Sequence, residues 1–289
     1  MKKIRKAIFP VGGLGTRFLP ATKSIPKEML PVASKPLVQY AFEEARNAGI
    51  EQFIFVMGRN KNAISNHFDH SYELQNVLTN NDKNKELSLT KNWLPEAGSI
   101  VFLRQQEPKG LGHAIYCARN VIGDEPFAVL LADEMLKSED GFLNEMVKSY
   151  NKVGGNIVAL AEVDKSRVSS YGIVDAHIKE KFGKITNMIE KPSLEEAPSN
   201  LSITGRYILQ PEIFDYIAKA KPGKGGEIQL TDSMKGMIDD GISYYGQVFD
   251  GLRYDCGSLV GFLDANISYS LDKEDIHGAV KLMLKKYAN

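Results

Sequence analysis

The sequence predicts an α/β fold: a mainly parallel mixed sheet with helices on both faces and a small helical extension at the C-terminal end. Three observations predict it. Short apolar runs that stop at glycines or polar residues recur between Ala7 and Val163. Stretches with helical spacing of apolar residues alternate with these runs. That alternation is the pattern of strands joined by crossover helices, whose ligands sit outside the carboxyl ends of the strands.

Ala7-Ile8-Phe9-Pro10-Val11, stopped by Gly12-Gly13, reads as the first buried strand. Leu37, Val38, Ala41, Phe42 and Ala45 mark one face of a helix over 37–48, stopped by Gly49. Gln52 to Met57 is the second strand and Ile100 to Leu103 the third. Ile115 to Val121 continues a helix, Phe127 to Leu131 is the fourth strand, Gly141 to Val153 is helical, and Ile157 to Val163 is the fifth strand. The polar stretch 72–98 reads as a helix and loop inserted on the surface. Residues 165–200 read as short strands and turns, 222–226 as a flexible loop, and 258–289 as helix with a basic end. One domain is expected, with halves of about 1–135 and 136–257 followed by the segment 258–289. No internal repeat is present.

Of the 289 residues, 43% are hydrophobic, enough for a sizeable core, and this excludes global disorder. Lys plus Arg and Asp plus Glu both number 36. That balance argues against a nucleic-acid binder and leaves positive charge to act locally, on a small anion. Cys117 and Cys256 stand far apart in no metal-ligand spacing and are expected to be buried thiols. The basic start Met1 to Lys6 is followed by too short an apolar run for a signal peptide, and no stretch is long enough to span a bilayer. A cytoplasmic protein is expected, with no membrane partner.

The turn Gly12-Gly13-Leu14-Gly15 follows the first strand, where nucleotide folds place phosphate. Glycines let backbone N–H groups approach phosphate oxygens. Counted from Gly13, the third position of the dinucleotide fingerprint is Phe18, and no Gly-Lys-Ser/Thr is present, so neither a dinucleotide fold nor a P-loop fits. Pro20, Pro26, Pro31 and Pro36 deny the loop a long following helix. Cations must then replace the helix dipole, and Arg17 and Lys27 are the ones supplied. Lys27, held between prolines, can act as a positioned charge.

Taken together, Gly-Leu-Gly-Thr-Arg-Phe-Leu-Pro-Ala-Thr (13–22) and Pro-Lys-Glu-Met-Leu-Pro (26–31) resemble the signature of the nucleotidyltransferases that activate sugar 1-phosphates. Among these, the likeness is to the bacterial uridylyltransferases acting on glucose 1-phosphate, and it runs to about Tyr269. The resemblance implies a Rossmann-like sheet of the nucleotide-diphospho-sugar transferase type. It makes Gln105, before Gly110-Leu111-Gly112-His113, the reader of the base, with Gly110 beside it and Gln106 a spectator. A glutamine amide suits the uracil O4 and N3–H edge, but once flipped it also suits cytosine. His113 is read as structural at a helix start. Asp133, ending the fourth strand, becomes a magnesium ligand with Asp255 of Arg253-Tyr254-Asp255-Cys256-Gly257. Glu134 stands where the family usually has a second Asp and receives no role. Gly172, Glu190, Lys191 and Gly205 resemble the sugar-phosphate site, and the segment 225–232 a structural one.

The reaction so implied takes UTP and glucose 1-phosphate to UDP-glucose and pyrophosphate, with magnesium (Mg2+) as cofactor. The sugar phosphate, already an anion, attacks the α-phosphorus without a general base. Positioning and charge neutralisation then do the work, with Arg17 on the leaving pyrophosphate, Lys27 on the α-phosphate and Lys191 on the attacking phosphate. The alternatives are a thymidylyltransferase and a non-catalytic regulatory paralogue that binds sugar nucleotide. The resemblance further implies a homodimer or homotetramer, although the stretch after Gly257 departs from the family pattern.

Overall fold

β1 (Lys6–Val11) alternates its side chains between two cores, with Ala7, Phe9 and Val11 on one side of the sheet and Ile8 on the other. Burial on both faces explains why the run is continuously apolar. The computed structural model describes residues 1–288; Asn289, the end of the expected C-terminal segment, lies outside them. After β1 the prolines prevent a helix, as expected. The chain makes three short 3-10 turns, Thr16–Phe18, Ala21–Lys23 and Lys27–Met29, then pairs β2 (Pro31–Val32) with β3 (Lys35–Pro36). Helix α1 (Leu37–Asn47) starts directly after Pro36.

β4 (Gln52–Met57) runs parallel to β1 along its whole length. α2 (Asn62–His67) follows, and the polar insertion holds two helices rather than one, α3 (Tyr72–Asn80) and α4 (Asn84–Lys91). β5 (Ile100–Arg104) extends the parallel sheet. The helix expected over 115–121 is split into α5 (Leu111–Cys117) and α6 (Arg119–Ile122): the Ala118 amide bonds back to Ile115, three residues earlier, a tightened turn that closes the first helix. β6 (Phe127–Leu130) takes the other edge of β1, giving the order β5-β4-β1-β6. The order therefore reverses between β1 and β6, where open α/β sheets form their ligand crevice. β6 pairs with β1 only from Lys6 to Ile8, whereas β4 follows β1 to Val11. Beyond Ile8 the two central strands part and the crevice opens.

The second half brings β7 (Glu134–Lys137), α7 (Phe142–Val153), β8 (Asn156–Glu162), β9 (Gly172–Lys179), β10 (Phe182–Glu190) and β11 (Leu201–Leu209). Then come α8 (Ile213–Lys219), α9 (Leu230–Asp239), β12 (Tyr244–Val248), β13 (Leu252–Asp255), α10 (Leu259–Leu271) and α11 (His277–Tyr287). The sheet runs β5-β4-β1-β6-β11-β8-β12-β10-β9, and β11 enters antiparallel between β6 and β8. The region expected as short strands is a hairpin of eight and nine residues, β9 and β10, and β9 bridges back to β11 at Ile173 and Ser202. α1 and α7 cover one face, burying Phe42, Leu143 and Met146; α5, α8 and α9 cover the other, burying Ile115, Ile213 and Met234. β13 returns to pair antiparallel with β7, setting Asp255 opposite Glu134. A small core of Val32, Leu37, Met135, Tyr254, Cys256 and Ala265 fastens α10 over that pair of strands.

Candidate active site

Two cavities lie along the carboxyl ends of the strands. The first, of about 390 Å³, is lined by Gly12, Leu14, Gly58, Arg59, Gln105 and Pro108, and also by Gln106. Gln105 follows β5 and is 7% exposed, its amide N–H donating to the Met57 carbonyl. Its side-chain Nε2 donates to the Gly110 carbonyl at 3.1 Å and lies 3.1 Å from His113 Nδ1. A methyl group on Gly12 would come within 2.8 Å of Gln105 Oε1, so only glycine leaves that oxygen its place. Gly110 caps α5 with φ of +94°, a backbone shape that a side chain would strain.

Between the cavities, the glycine turn folds over Lys27: positions 13 and 15 both lie against its side chain. Lys27 Nζ donates to Asp133 Oδ2 at 2.5 Å. Burial alone would pull the Lys27 ammonium below its ordinary range, but the Asp133 and Glu28 carboxylates outweigh it and hold it above. Burial likewise pushes the Asp133 carboxyl up, and Lys27 overrides it to hold Asp133 below the usual range. Arg17 NH1 donates to the Gly257 carbonyl at 3.2 Å. A methyl on Gly257 would stand 3.0 Å from Asp255 Oδ1, 3.3 Å from Asp133 Oδ2 and 3.4 Å from Arg17 NH1. Two carboxylates and a guanidinium thus converge on one glycine. The Cys256 amide donates to the Asp133 carbonyl at 2.8 Å and fixes this approach.

The second cavity, of about 490 Å³, is lined by Arg17, Asp133, Asp255, Gly172, Glu190 and Lys191, with Gly205 and Thr231 also on its wall. Glu190 Oε2 accepts from Thr231 Oγ1 at 2.7 Å, and Glu190 Oε1 lies 3.1 Å from Lys191 Nζ. Gly172 is where these groups crowd the backbone, with Glu190 Oε2 and Thr231 Oγ1 each 3.2 Å from where its side chain would start. Gly205 sits at the irregular stretch of β11, against Leu131 and Glu134, so its missing side chain serves this packing as well as the cavity. Arg206 turns to the opposite face and pairs with Glu44 at 2.8 Å.

Of the sequence-predicted site residues, Gly12, Leu14 and Gln105 line the first cavity, and Arg17, Asp133, Gly172, Glu190, Lys191, Gly205 and Asp255 line the second. Lys27 lines neither but bonds Asp133, Gly13 and Gly15 lie against Lys27, and the Gly110 carbonyl accepts from Gln105. Several neighbours were not foreseen. The segment 225–232, expected to be structural, places Glu227, Gln229, Leu230 and Thr231 on the second cavity; its helix begins at Leu230, and the Ile228 backbone also bonds Lys109 and Gly112, on either side of Gly110 at the start of α5. Glu134 is committed to Arg253 by two bonds of 2.9 and 3.0 Å, although burial raises its carboxyl. Arg253 lies over the Tyr171 ring, and the Tyr171 hydroxyl donates to Asp255 at 3.2 Å. Arg167 reaches the Tyr171 hydroxyl at 2.6 Å. Beneath Lys27, Lys61 pairs with buried Glu28 at 2.7 Å. Lone arginines and lysines in polar segments carry no sequence signal that tells these from surface charges.

The donor set at Gly257 is two hard carboxylate oxygens. Among the described residues no group of three or more His, Cys, Asp or Glu gathers to hold a metal. Such a pair fits a hard divalent cation that takes the rest of its shell from other oxygen donors.

The family model for nucleotidyl transferases matches residues 6–271. UTP–glucose-1-phosphate uridylyltransferase 2 of Staphylococcus saprophyticus is 46% identical over 289 residues, covering 99% of each chain. The UTP-bound UGPase from Acinetobacter baumannii superposes with a TM-score of 0.90 at 37% identity, over 98% of this chain and 99% of that one. A UDP-glucose pyrophosphorylase complexed with UDP-glucose matches with a TM-score of 0.83 at 42% identity, over 93% of this chain and 100% of that one. With glycine turn, carboxylates and cavities in place over that length, the chain belongs to the nucleotidyl transferase family.

Proposed function

We propose that the chain transfers UMP from UTP to glucose 1-phosphate, giving UDP-glucose and pyrophosphate. The observation that carries this reading is the meeting of Asp133, Asp255 and Arg17 at Gly257, with Lys27 on Asp133, at the junction of the two cavities. The names of the relatives support the substrates.

In this reading uracil enters the cavity of Gly12, Leu14 and Gln105, with Gly110 holding the Gln105 amide, and the triphosphate lies along Gly13 and Gly15 beside Arg17. Glu190 accepts hydroxyls of the sugar between Gly172 and Gly205, and Lys191 holds its phosphate in line. The attacking oxygen is already an anion, so no base is needed; bringing two polyanions together is the barrier. Lys27 steadies the α-phosphate and Arg17 the pyrophosphate. Asp133 and Asp255 would hold magnesium, which would supply neutralisation of phosphate charge.

Among the described residues no helix is long and apolar enough to cross a membrane. The free thiols of Cys117 and Cys256 support a reducing, cytoplasmic setting. Leu259, Val260 and Leu263 on α10 and Leu282 on α11 are exposed, which supports a homodimer or homotetramer.

The test is pyrophosphate release with magnesium, glucose 1-phosphate and UTP, dTTP, CTP, ATP or GTP in turn. Release with UTP foremost, abolished by a chelator, is the expected outcome. Dominance of dTTP would make the chain a thymidylyltransferase. No release, from protein that still binds UDP-glucose, would withdraw the mechanism in favour of a regulatory paralogue.

A further inference from the structure

The Gln105 side chain poses a problem of orientation, because an amide turned over presents a donor where it had presented an acceptor. Two groups hold it in one orientation. The Gly110 carbonyl can only accept, so the atom 3.1 Å from it is the NH2 nitrogen. That nitrogen also lies 3.1 Å from His113 Nδ1. An amide NH2 offers two hydrogens and no acceptor, so Nδ1 must be the unprotonated nitrogen of a neutral imidazole. With both hydrogens committed toward α5, Oε1 is left beside Gly12 on the wall of the first cavity.

We propose that His113 is a positioning residue for nucleotide choice: its Nδ1 lone pair keeps the Gln105 carbonyl turned to the base, which welcomes the N3–H of a uracil and opposes the N3 lone pair of a cytosine. The inference rests on the uridylyl-transfer reading above and adds to it how the amide's ambiguity is resolved. A protonated His113 would set an N–H against the NH2 group and favour the turned amide. The charged groups around the ring are Lys109 and Glu107 on the preceding loop and Arg119 on α6, while Glu227 packs against Gly110. Burial, with Lys109 and Arg119 adding to it and Glu107 opposing, holds the imidazole below its ordinary range, so the neutral form prevails at neutral pH.

The experiment compares kcat/KM for UTP and CTP, with glucose 1-phosphate and magnesium, across pH for the unaltered protein, His113→Leu and His113→Asn. Leucine removes the acceptor; asparagine returns one near the Nδ1 position and does not titrate. In His113→Leu the UTP-over-CTP ratio is expected to fall about tenfold, the worth of one amide hydrogen bond of about 1.4 kcal/mol. His113→Asn should restore it and hold it flat with pH, while the unaltered protein loses it only as pH drops below the ordinary histidine range. If His113→Leu does not fold, the pH profiles of the other two proteins decide. A ratio indifferent to pH and to both substitutions overturns the role of His113 while leaving uridylyl transfer intact. An unaltered protein that uses neither UTP nor CTP overturns both.

Discussion

Lys27 donates to Asp133 Oδ2 at 2.5 Å and joins the proline-bracketed turn to the turn between β6 and β7, 106 residues further along the chain. Each group holds the other charged within a site that burial would otherwise neutralise. Lys27→Ala is therefore expected to keep its fold, seen by circular dichroism, and to lose about 10²–10³ in turnover, the scale of one lost charge-stabilising donor. A loss below tenfold would remove Lys27 from the mechanism.

Asp133, just before β7, and Asp255, ending β13, meet at Gly257 from segments far apart in sequence. Asp133→Asn and Asp255→Asn should each lower turnover at saturating magnesium by at least about 10², since a metal ion supplies several kcal/mol of charge stabilisation. A magnesium titration checks this: the half-saturating concentration should rise in both variants. Unchanged magnesium dependence in either would free that residue from the metal.

Beneath the Lys27 turn, Lys61 and Glu28 form a pair whose side chains are 6% and 2% exposed. Lys61→Met takes from a buried carboxylate its hydrogen-bonded partner, leaving only the nearby Lys27 charge, and should cost about 3–5 kcal/mol at neutral pH. Burial already raises the Glu28 carboxyl, and losing Lys61 raises it further. A carboxyl raised in the folded state costs nothing below its unfolded pKa of about 4.3 and increasingly more as pH climbs toward its folded value. The loss of stability in urea should thus be smaller at about pH 5 than at neutral pH. An equal loss at both would show that Glu28 does not take up the proton.

Thr231 donates to Glu190 Oε2 at 2.7 Å, and Glu190 lines the second cavity. Thr231→Val should lower kcat/KM for glucose 1-phosphate by about tenfold, the worth of a hydrogen bond to a charged acceptor. KM for UTP should hold steady. If both substrates suffer alike, Thr231 acts on the fold rather than on the sugar side.

The legible parts of the fold are those where local chemistry and tertiary role coincide. β4 spans Gln52–Met57 as expected because both its faces are buried, which demands an unbroken apolar run. α1 shows its apolar face because the other side meets solvent. β11 was invisible for the opposite reason. It is a central strand, yet it carries Ser202, Thr204 and Arg206, all buried. Arg206 is tolerated there because Glu44, 162 residues away, meets it with two bonds and the Leu131 and Gly205 carbonyls accept from it as well. No local pattern announces such a partner.

By itself, the sequence determined the strand-and-helix alternation of the first half, the glycine turn and its two cations, and the residue types a phosphate site needs, because periodicity, proline positions and charge are local properties. Tertiary structure alone decided that β13 lies on β7 and so brings Asp255 to Asp133, that Glu134 is spent on Arg253, that Thr231 backs Glu190, and which way the Gln105 amide faces. These depend on contacts between distant segments, whose geometry is fixed by how the sheet twists and packs rather than by any residue's neighbours in the chain.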